Sequence, residues 1–429
     1  MSPTHESFGR RAFLAAAAMT AAAGAIPVTT GVAAAAAKDP DQLFEQGAFD
    51  EAARGYRRLL GEEPENAHAA AQLGYIALLG NRFGAAERYL STAIKLDPAD
   101  VAARQRLAEC YVRQDKLAAA VPLLEQTGRP RDAAYATLYR HVTGTPWQLH
   151  GARSTRVPFV TMEPLPAVKA EVNGREKTFY LDTYATLDLA QEVAEEAGLR
   201  SLATVSGVAS NSPVTIHLGI LESFRIGGIE VRNLPVQWID ARRPPLPDGS
   251  QPAGVLGTTL FYHFLTTMDY AGQALLLRGR SAASPAGSGR IPLWLAGDHY
   301  PCTLGSLNGY GPGIVTLDTG GLGHGLDTTV EYAERAGLAV DYDHPVDRNG
   351  VAFYPVTADR MSLGRAVGRN VKGFASAKTI PGQPGPGQAD MFGFEIIANF
   401  THEFFKPFTL TFDYTAMRVS ITGGGRPRP

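Results

Sequence analysis

The sequence is poor in cysteine: only Cys110 and Cys302 occur in 429 residues, far apart and outside any Cys-x-x-Cys or histidine-rich context. That excludes a disulfide scaffold and gives no support to a structural zinc site. A single Cys110–Cys302 bridge stays open, but two free thiols packed as small apolar groups are the simpler expectation. There is no long Lys/Arg run and the net charge is −2, so no strong field favours nucleic acid or an anionic surface. After the N-terminal segment, no stretch approaches the roughly 20 apolar residues that a membrane-spanning helix needs. What is present, 45% hydrophobic and 19% charged residues, suits a globular chain of two or three domains with sizeable cores.

Residues 1–37 read as an export signal. Gly9-Arg10-Arg11-Ala12-Phe13-Leu14 puts a twin-arginine pair before Phe-Leu. Ala15 to Val28 is rich in Ala and Gly and only mildly apolar, and Ala33 to Ala37 offers small residues for cleavage. The segment resembles the bacterial twin-arginine translocation signal. The resemblance implies a mature protein outside the cytoplasm, whether secreted, periplasmic or in the cell envelope. An uncut membrane anchor is the alternative.

Residues 41–127 repeat with a period of 34. Gly47 to Ala52 lines up with Asn81 to Ala86 and with Asp115 to Ala120. Pro64 and Pro98 close successive units, because proline cannot continue a helix. Ala52, Ala86 and Ala120 let paired helices approach; Tyr56, Leu90 and Leu124 fill the space between pairs; Gly74 aligns with Ala108. The pattern resembles the tetratricopeptide repeat. Such an array either offers a surface to a peptide or protein partner, or packs on the next domain as a spacer. Residues 128–154 read as a closing helix and linker.

The remainder is β-branched and turn-rich, and its halves match. Thr178 to Ala185 contains Leu181-Asp182-Thr183-Tyr184, followed by a helix-like run ending at Gly198-Leu199. Gly313 to Gly321 contains Leu317-Asp318-Thr319-Gly320-Gly321, followed by a run ending at Gly337-Leu338. Met268-Asp269-Tyr270 and Phe412-Asp413-Tyr414 close the halves, and a Ser/Ala/Gly-rich linker, 280–290, joins them. Such a pair resembles the two lobes, 155–279 and 291–422, of pepsin-like and retropepsin-like aspartic proteases. The expected fold class is therefore multidomain: all-α tetratricopeptide-like repeats, then a mainly-β two-lobed domain resembling the double-psi barrel, with a flexible tail at 423–429.

The resemblance implies that Asp182 and Asp318 are the catalytic carboxylates of a peptidase. Two carboxylates around one water cannot both ionise easily, so they share a proton and act as general base and general acid. Thr183 and Thr319 match the threonines that hold the two loops together, with Tyr184, Gly320 and Gly321 as supporting residues. A flap hairpin is expected between Thr204 and Ile216, with Gly207, Ser210 and Asn211 as turn residues. No cofactor or metal is implied.

Two departures bear on activity. Tyr184 stands where the motif has glycine, a residue that permits close approach and unusual backbone. Ala398 stands where the lobe pattern expects glycine and the first lobe keeps Gly257. Other motifs are decoys. Gly320 to Gly325 lacks the Lys-Ser/Thr end of a phosphate loop. His402-Glu403 lacks a second histidine at helical spacing, and His324 reads as a solvated loop residue. Three function classes remain: an exported aspartic endopeptidase acting on peptide or protein, a peptide-binding pseudoprotease, and a repeat-based scaffold.

Overall fold

Three turns spaced one period apart organise the helical part. Gly47, Asn81 and Asp115 adopt left-handed backbone, with φ of 74°, 50° and 59°. Glycine, asparagine and aspartate accept that conformation at least cost. The helices are α1 (Pro40–Glu45), α2 (Phe49–Glu62), α3 (Ala67–Leu79), α4 (Phe83–Leu96), α5 (Val101–Val112), α6 (Leu117–Glu125) and α7 (Pro130–His141). Asn66 and Asp100 cap α3 and α5, accepting from the N–H of Ala69 and Ala103, each at 2.8 Å. Such a cap contributes about 1 kcal/mol. Ala52, Ala86 and Ala120 are fully buried, as are Tyr56 and Leu90. A Cβ at Gly74 would fall 2.6 Å from Leu90 Cγ, so the large residue of one helix dictates the missing side chain of its neighbour.

The computed structural model describes residues 38–209, 212–284, 289–348, 350–379 and 389–423. The expected signal segment 1–37, the expected flap turn residues Ser210 and Asn211, part of the expected linker and the expected tail from 424 lie outside the described residues. Among the described residues, no helix is long and apolar enough to cross a membrane.

After α7 the chain is mainly strand. It opens with β1 (Gln148–Gly151) and β2 (Ser154–Pro158). The first half continues through β3 (Ala167–Val172), β4 (Arg175–Leu181), β5 (Asp188–Ala190), α8 (Gln191–Glu196), β6 (Ala203–Ala209), β7 (Ser212–Ile226) and β8 (Ile229–Ile239). It ends with β9 (Gly254–Leu256), α9 (Thr258–Phe261), β10 (Phe264–Asp269) and β11 (Ala274–Gly279). The second half runs β12 (Arg290–Pro292), β13 (Trp294–Ala296), β14 (Tyr300–Leu307), β15 (Tyr310–Leu317), β16 (Leu326–Thr329), α10 (Val330–Arg335), β17 (Ala339–Val340), β18 (Val346–Arg348), β19 (Val351–Leu363) and β20 (Ala366–Ser376). It closes with α11 (Ala389–Phe392), β21 (Ala398–Phe400), α12 (His402–Phe405), β22 (Phe408–Asp413) and β23 (Arg418–Gly423).

The first half forms an eight-stranded sheet, β1-β8-β5-β9-β4-β3-β7-β6, which curls because β7 also pairs with β8. The second forms a nine-stranded sheet around β14-β15-β21-β16-β20-β19. Corresponding strands pair alike: β5 runs parallel to β8, as β16 does to β20. Between the halves lies a six-stranded sheet, β12-β23-β22-β10-β11-β2. At its centre β10 pairs antiparallel with its counterpart β22, Thr266 opposite Phe412, Thr267 opposite Thr411 and Met268 opposite Leu410. This register is symmetric about Thr267 and Thr411, whose hydroxyls meet at 2.8 Å across a buried seam. A pseudo-twofold axis therefore passes between them, and the halves are duplicated units joined by shared sheet. The architecture is thus N-terminal helical repeats followed by a mainly-β domain with barrel-like sheets.

The same three turns that organise the repeats dock them on this domain. A Cβ on Gly47 would lie 2.3 Å from Ile314 Cγ1 in β15. Asn81 donates to the carbonyl of Tyr414, at the shared sheet, at 3.0 Å. Asp115 pairs with His263 of the first half at 3.2 Å. Successive repeats thus touch the second half, the seam and the first half. Phe49 packs edge-on against Trp294 and Phe394, at 5.0 and 5.1 Å. At the far end, Ala134 and Leu138 of α7 bury against Val205 and Leu218 of the β6–β7 hairpin.

Arg113 is the polar centre of this interface and is 5% exposed. Its guanidinium donates to the carbonyls of Leu78 and Leu295 and to Asn81, at 3.0 to 3.1 Å, and also to Gly297. Its Nε meets Glu109 at 2.8 Å. Removing it strands those acceptors and leaves Glu109, whose carboxyl burial already pushes up, without its cation. Arg113→Met should destabilise the protein by about 3–5 kcal/mol, the cost of breaking a buried pair. Chemical denaturation of the two proteins checks this.

Candidate functional site

Each aspartate leaves its sheet at an equivalent place. β4 runs parallel to β9 with Leu181 beside Leu256, and β15 runs parallel to β21 with Leu317 beside Phe400. The next residue in each half is anchored by its own N–H: Asp182 to Leu256 O at 3.0 Å and Asp318 to Phe400 O at 2.9 Å. The threonines that follow, both fully buried, cross from one half to the other. Thr183 N–H donates to Thr319 Oγ1 at 3.0 Å, and Thr319 N–H donates to Thr183 Oγ1 at 3.1 Å. Each hydroxyl in turn donates to the partner loop, Thr183 to Leu317 O at 2.6 Å and Thr319 to Leu181 O at 3.4 Å.

This crossing brings the Asp182 and Asp318 carboxyls within hydrogen-bonding reach of each other. A Cβ on Gly320 would lie 2.1 Å from Asp182 Cγ, so the carboxyl of one half occupies the space that glycine vacates in the other. Burial first, and the neighbouring Asp318 charge second, push the Asp182 carboxyl well above the usual range. Burial also raises Asp318, but the Asn399 amide and the Gly320 N–H oppose it. Those donors sit at 2.9 Å on Oδ2 and 2.8 Å on Oδ1. Asp182 accepts the Tyr184 N–H at 2.7 Å, and Val255 stands where the second half has Asn399. A carboxylate with more donors holds its charge better. The donor set therefore favours the proton on Asp182 and the negative charge on Asp318, within a pair that titrates as a unit.

Neither departure in the motifs disrupts this arrangement. Neither Tyr184 nor Gly320 has positive φ, so glycine is needed at 320 for space rather than for an unusual backbone. Tyr184 keeps the backbone donor that Gly320 supplies in the other half. Its ring packs edge-on against Tyr300, centroids 4.8 Å apart. The expected correspondence of Ala398 with Gly257 is corrected by the strand register. Val255 and Asn399 hold equivalent positions, which places Gly254 with Ala398 and Gly257 with Thr401. Gly257 and Thr401 share one extended conformation, φ −118° and −116°. The bulk is exchanged between neighbours. A Cβ at Gly257 would meet Ala185 O at 2.0 Å, whereas Thr401 has room because it faces Gly321, where an added Cβ would fall 2.5 Å from Thr401 Cβ.

His324 is not a solvated loop residue: it is 7% exposed, bonded through Nδ1 to Leu322 O at 2.6 Å and paired with Asp327 at 2.8 Å. Burial pulls its pKa down, but the Asp327 carboxylate and the Leu322 carbonyl together outweigh that and hold it above the usual histidine value. Glu163, His402 and Glu403 converge closely enough to suggest metal ligation. Lys406 occupies both carboxylates at 2.7 and 2.6 Å, however, and His402, whose pKa burial pushes down to about 4, bonds the Met162 carbonyl at 3.1 Å. The cluster reads as an ion pair between a loop and α12. The two cysteines are free and buried. Asn399 escaped the sequence reading because the aspartates' neighbours across the sheet follow from register, which Ala398 and Gly257 had misaligned.

The charge assignment predicts a stability effect. With the folded pKa of Asp182 raised, its favourable contribution is complete below the ordinary value of 3.8 and is lost as pH rises through the folded value. Asp182→Asn should therefore be more stable than the parent at pH 7 by at least about 1 kcal/mol. The difference should vanish at acidic pH, as thermal denaturation across a pH series will show.

Comparison with known proteins follows the same division. An aspartyl protease family model matches residues 168–260, a segment that includes Asp182, Thr183 and Tyr184. A tetratricopeptide repeat model matches residues 77–142. A search of curated proteins found no match. Among solved structures, the complex of the TPR2B domain of yeast Sti1 with pHsp70 is 21% identical, covering 22% of this chain and 74% of that one, with a TM-score of 0.20. A mutant O-GlcNAc transferase of Thermobaculum terrenum is 19% identical over 25% of this chain and 22% of its own length, with a TM-score of 0.23. The chain carries an aspartyl protease domain preceded by tetratricopeptide repeats.

Proposed function

We propose that this protein is an exported aspartic-type endopeptidase of the two-lobed, pepsin-like kind. The observation that carries the reading is the unequal donor set of the dyad, with Asn399 and Gly320 on Asp318 and the Tyr184 N–H on Asp182. Asp318 takes a proton from a water as its oxygen attacks the peptide carbonyl carbon. Asp182 gives its proton to the carbonyl oxygen, forming a tetrahedral diol. Asp318 then gives its proton to the nitrogen while Asp182 takes one from a diol hydroxyl; the C–N bond breaks, the new carboxyl carbonyl forms, and the dyad is left with its one proton back on Asp182. The β6–β7 hairpin serves as the flap over this cleft. The twin-arginine signature at Arg10-Arg11 supports export.

The repeats act within the chain in this reading. Their turns span both halves and the seam between them, and α7 braces the flap base. Because the aspartates meet only when the halves are held in register, a brace across both favours the closed dyad. This observation favours an intramolecular role over recruitment of a separate partner.

Cleavage of a diverse peptide pool, followed by mass spectrometry, tests the reading. Asp182→Asn and Asp318→Asn should each lower kcat/KM by about 10²- to 10⁴-fold, the usual worth of a general acid or base. Cleavage that survives both substitutions would overturn it. In the bell-shaped pH profile, ionisation of the dyad's first proton sets the acid limb. Asn399→Leu removes a donor to the charged Asp318, so that limb should move to higher pH by about 1–2 units, since a bond to a charged group is worth about 1.5–3 kcal/mol.

A further inference from the structure

One buried charged group in the first half has no role in the reaction above. Arg243 lies in the loop between β8 and β9, with its side chain 13% exposed. Its nearest carboxylate is Asp188, 4.0 Å from Nη2, beyond hydrogen-bonding distance. Nη1 is buried and has no partner. Asp188 is itself engaged, accepting the Thr186 hydroxyl at 2.5 Å. Burial pulls the Arg243 pKa down while Asp188 and then Asp182 raise it, so the guanidinium lies within electrostatic range of the dyad. A desolvated guanidinium without hydrogen bonds is costly, and it is sustained only where the surrounding structure holds it in place.

The loop supplies that support. The Tyr180 hydroxyl donates to the carbonyls of Pro244 and Pro245, at 3.1 and 3.0 Å. Leu246 buries in a cluster with Leu165, Ala167 and Tyr180. Tyr180 belongs to the strand that ends at the catalytic motif, so the loop and Asp182 share one rigid element. Arg243 is thus a pre-positioned donor beside Asp188, on a loop tied to the strand that leads into Asp182, with an unused nitrogen.

We propose that Arg243 determines specificity by binding a carboxylate of the substrate, so that the site prefers acidic peptides. A planar guanidinium matches a carboxylate with two parallel bonds, which a lysine or a neutral acceptor cannot reproduce. The carboxylate is either an Asp or Glu side chain or a free C-terminus. The inference rests on the peptidase reading for its place in the reaction, but its binding chemistry can be measured separately.

The experiment compares peptides of one sequence that differ at a single residue, Glu or Gln, each with a free or amidated C-terminus. The parent should cleave the Glu or the free-acid form better by about 10- to 100-fold in kcat/KM, and which form is favoured identifies the carboxylate. Arg243→Gln should erase that ratio, and Arg243→Lys should keep part of it. A parent without acid preference, or an Arg243→Gln protein that retains it, overturns the proposal. Calorimetric binding of the same peptides to the Asp318→Asn protein separates the two claims. Acid-selective binding that depends on Arg243, without cleavage by the parent, would sink the peptidase reading and leave this one standing; equal binding of all four peptides would sink this one.

Discussion

The architecture turns on holding two carboxylic acids against each other away from water, where like charge and desolvation both oppose it. Neither half can do this alone. The crossed bonds of Thr183 and Thr319 tie each loop to the other half at fully buried positions, and the β10–β22 seam fixes the halves about the same axis. Gly320 then yields its side-chain space to the opposing carboxyl. The helical repeats add a third tie on the outside, reaching both halves and the seam through their turns.

The symmetry is incomplete, and its breaks set the two carboxyls apart. Asn399 faces Asp318 where Val255 stands in the other half, and Thr401 with Gly321 mirrors Gly257 with Ala185 by swapping bulk between neighbours. A symmetric pair would leave the proton undecided between two equal sites. The extra amide places the charge on Asp318, and Tyr184 fits because position 184, unlike position 320, already has space for a Cβ.

Much of this was legible in the residues. The period of 34 located helices and turns because a left-handed turn admits few residue types, and Gly47, Asn81 and Asp115 are among them. Paired Leu-Asp-Thr motifs located the facing loops because strand, aspartate and threonine are all needed there. What was not legible depends on tertiary register. The equivalence of Thr401 and Gly257 is set by parallel pairing of β21 and β9 with distant strands, and motif spacing misplaced it by three residues. Burial of His324 follows from packing against Phe374, which lies 50 residues on. The docking face of the repeats was hidden because the turn residues that form it are already explained by the turns themselves.

The most direct test of the shared proton is the carboxyl carbon resonance of the aspartates in isotopically labelled protein, followed across pH. The account predicts one aspartate that stays protonated well above the ordinary carboxylate range, and that disappears in Asp182→Asn. If every aspartate titrates in the ordinary range, or the retained proton belongs to Asp318, the two carboxylates do not form the asymmetric pair on which the account rests.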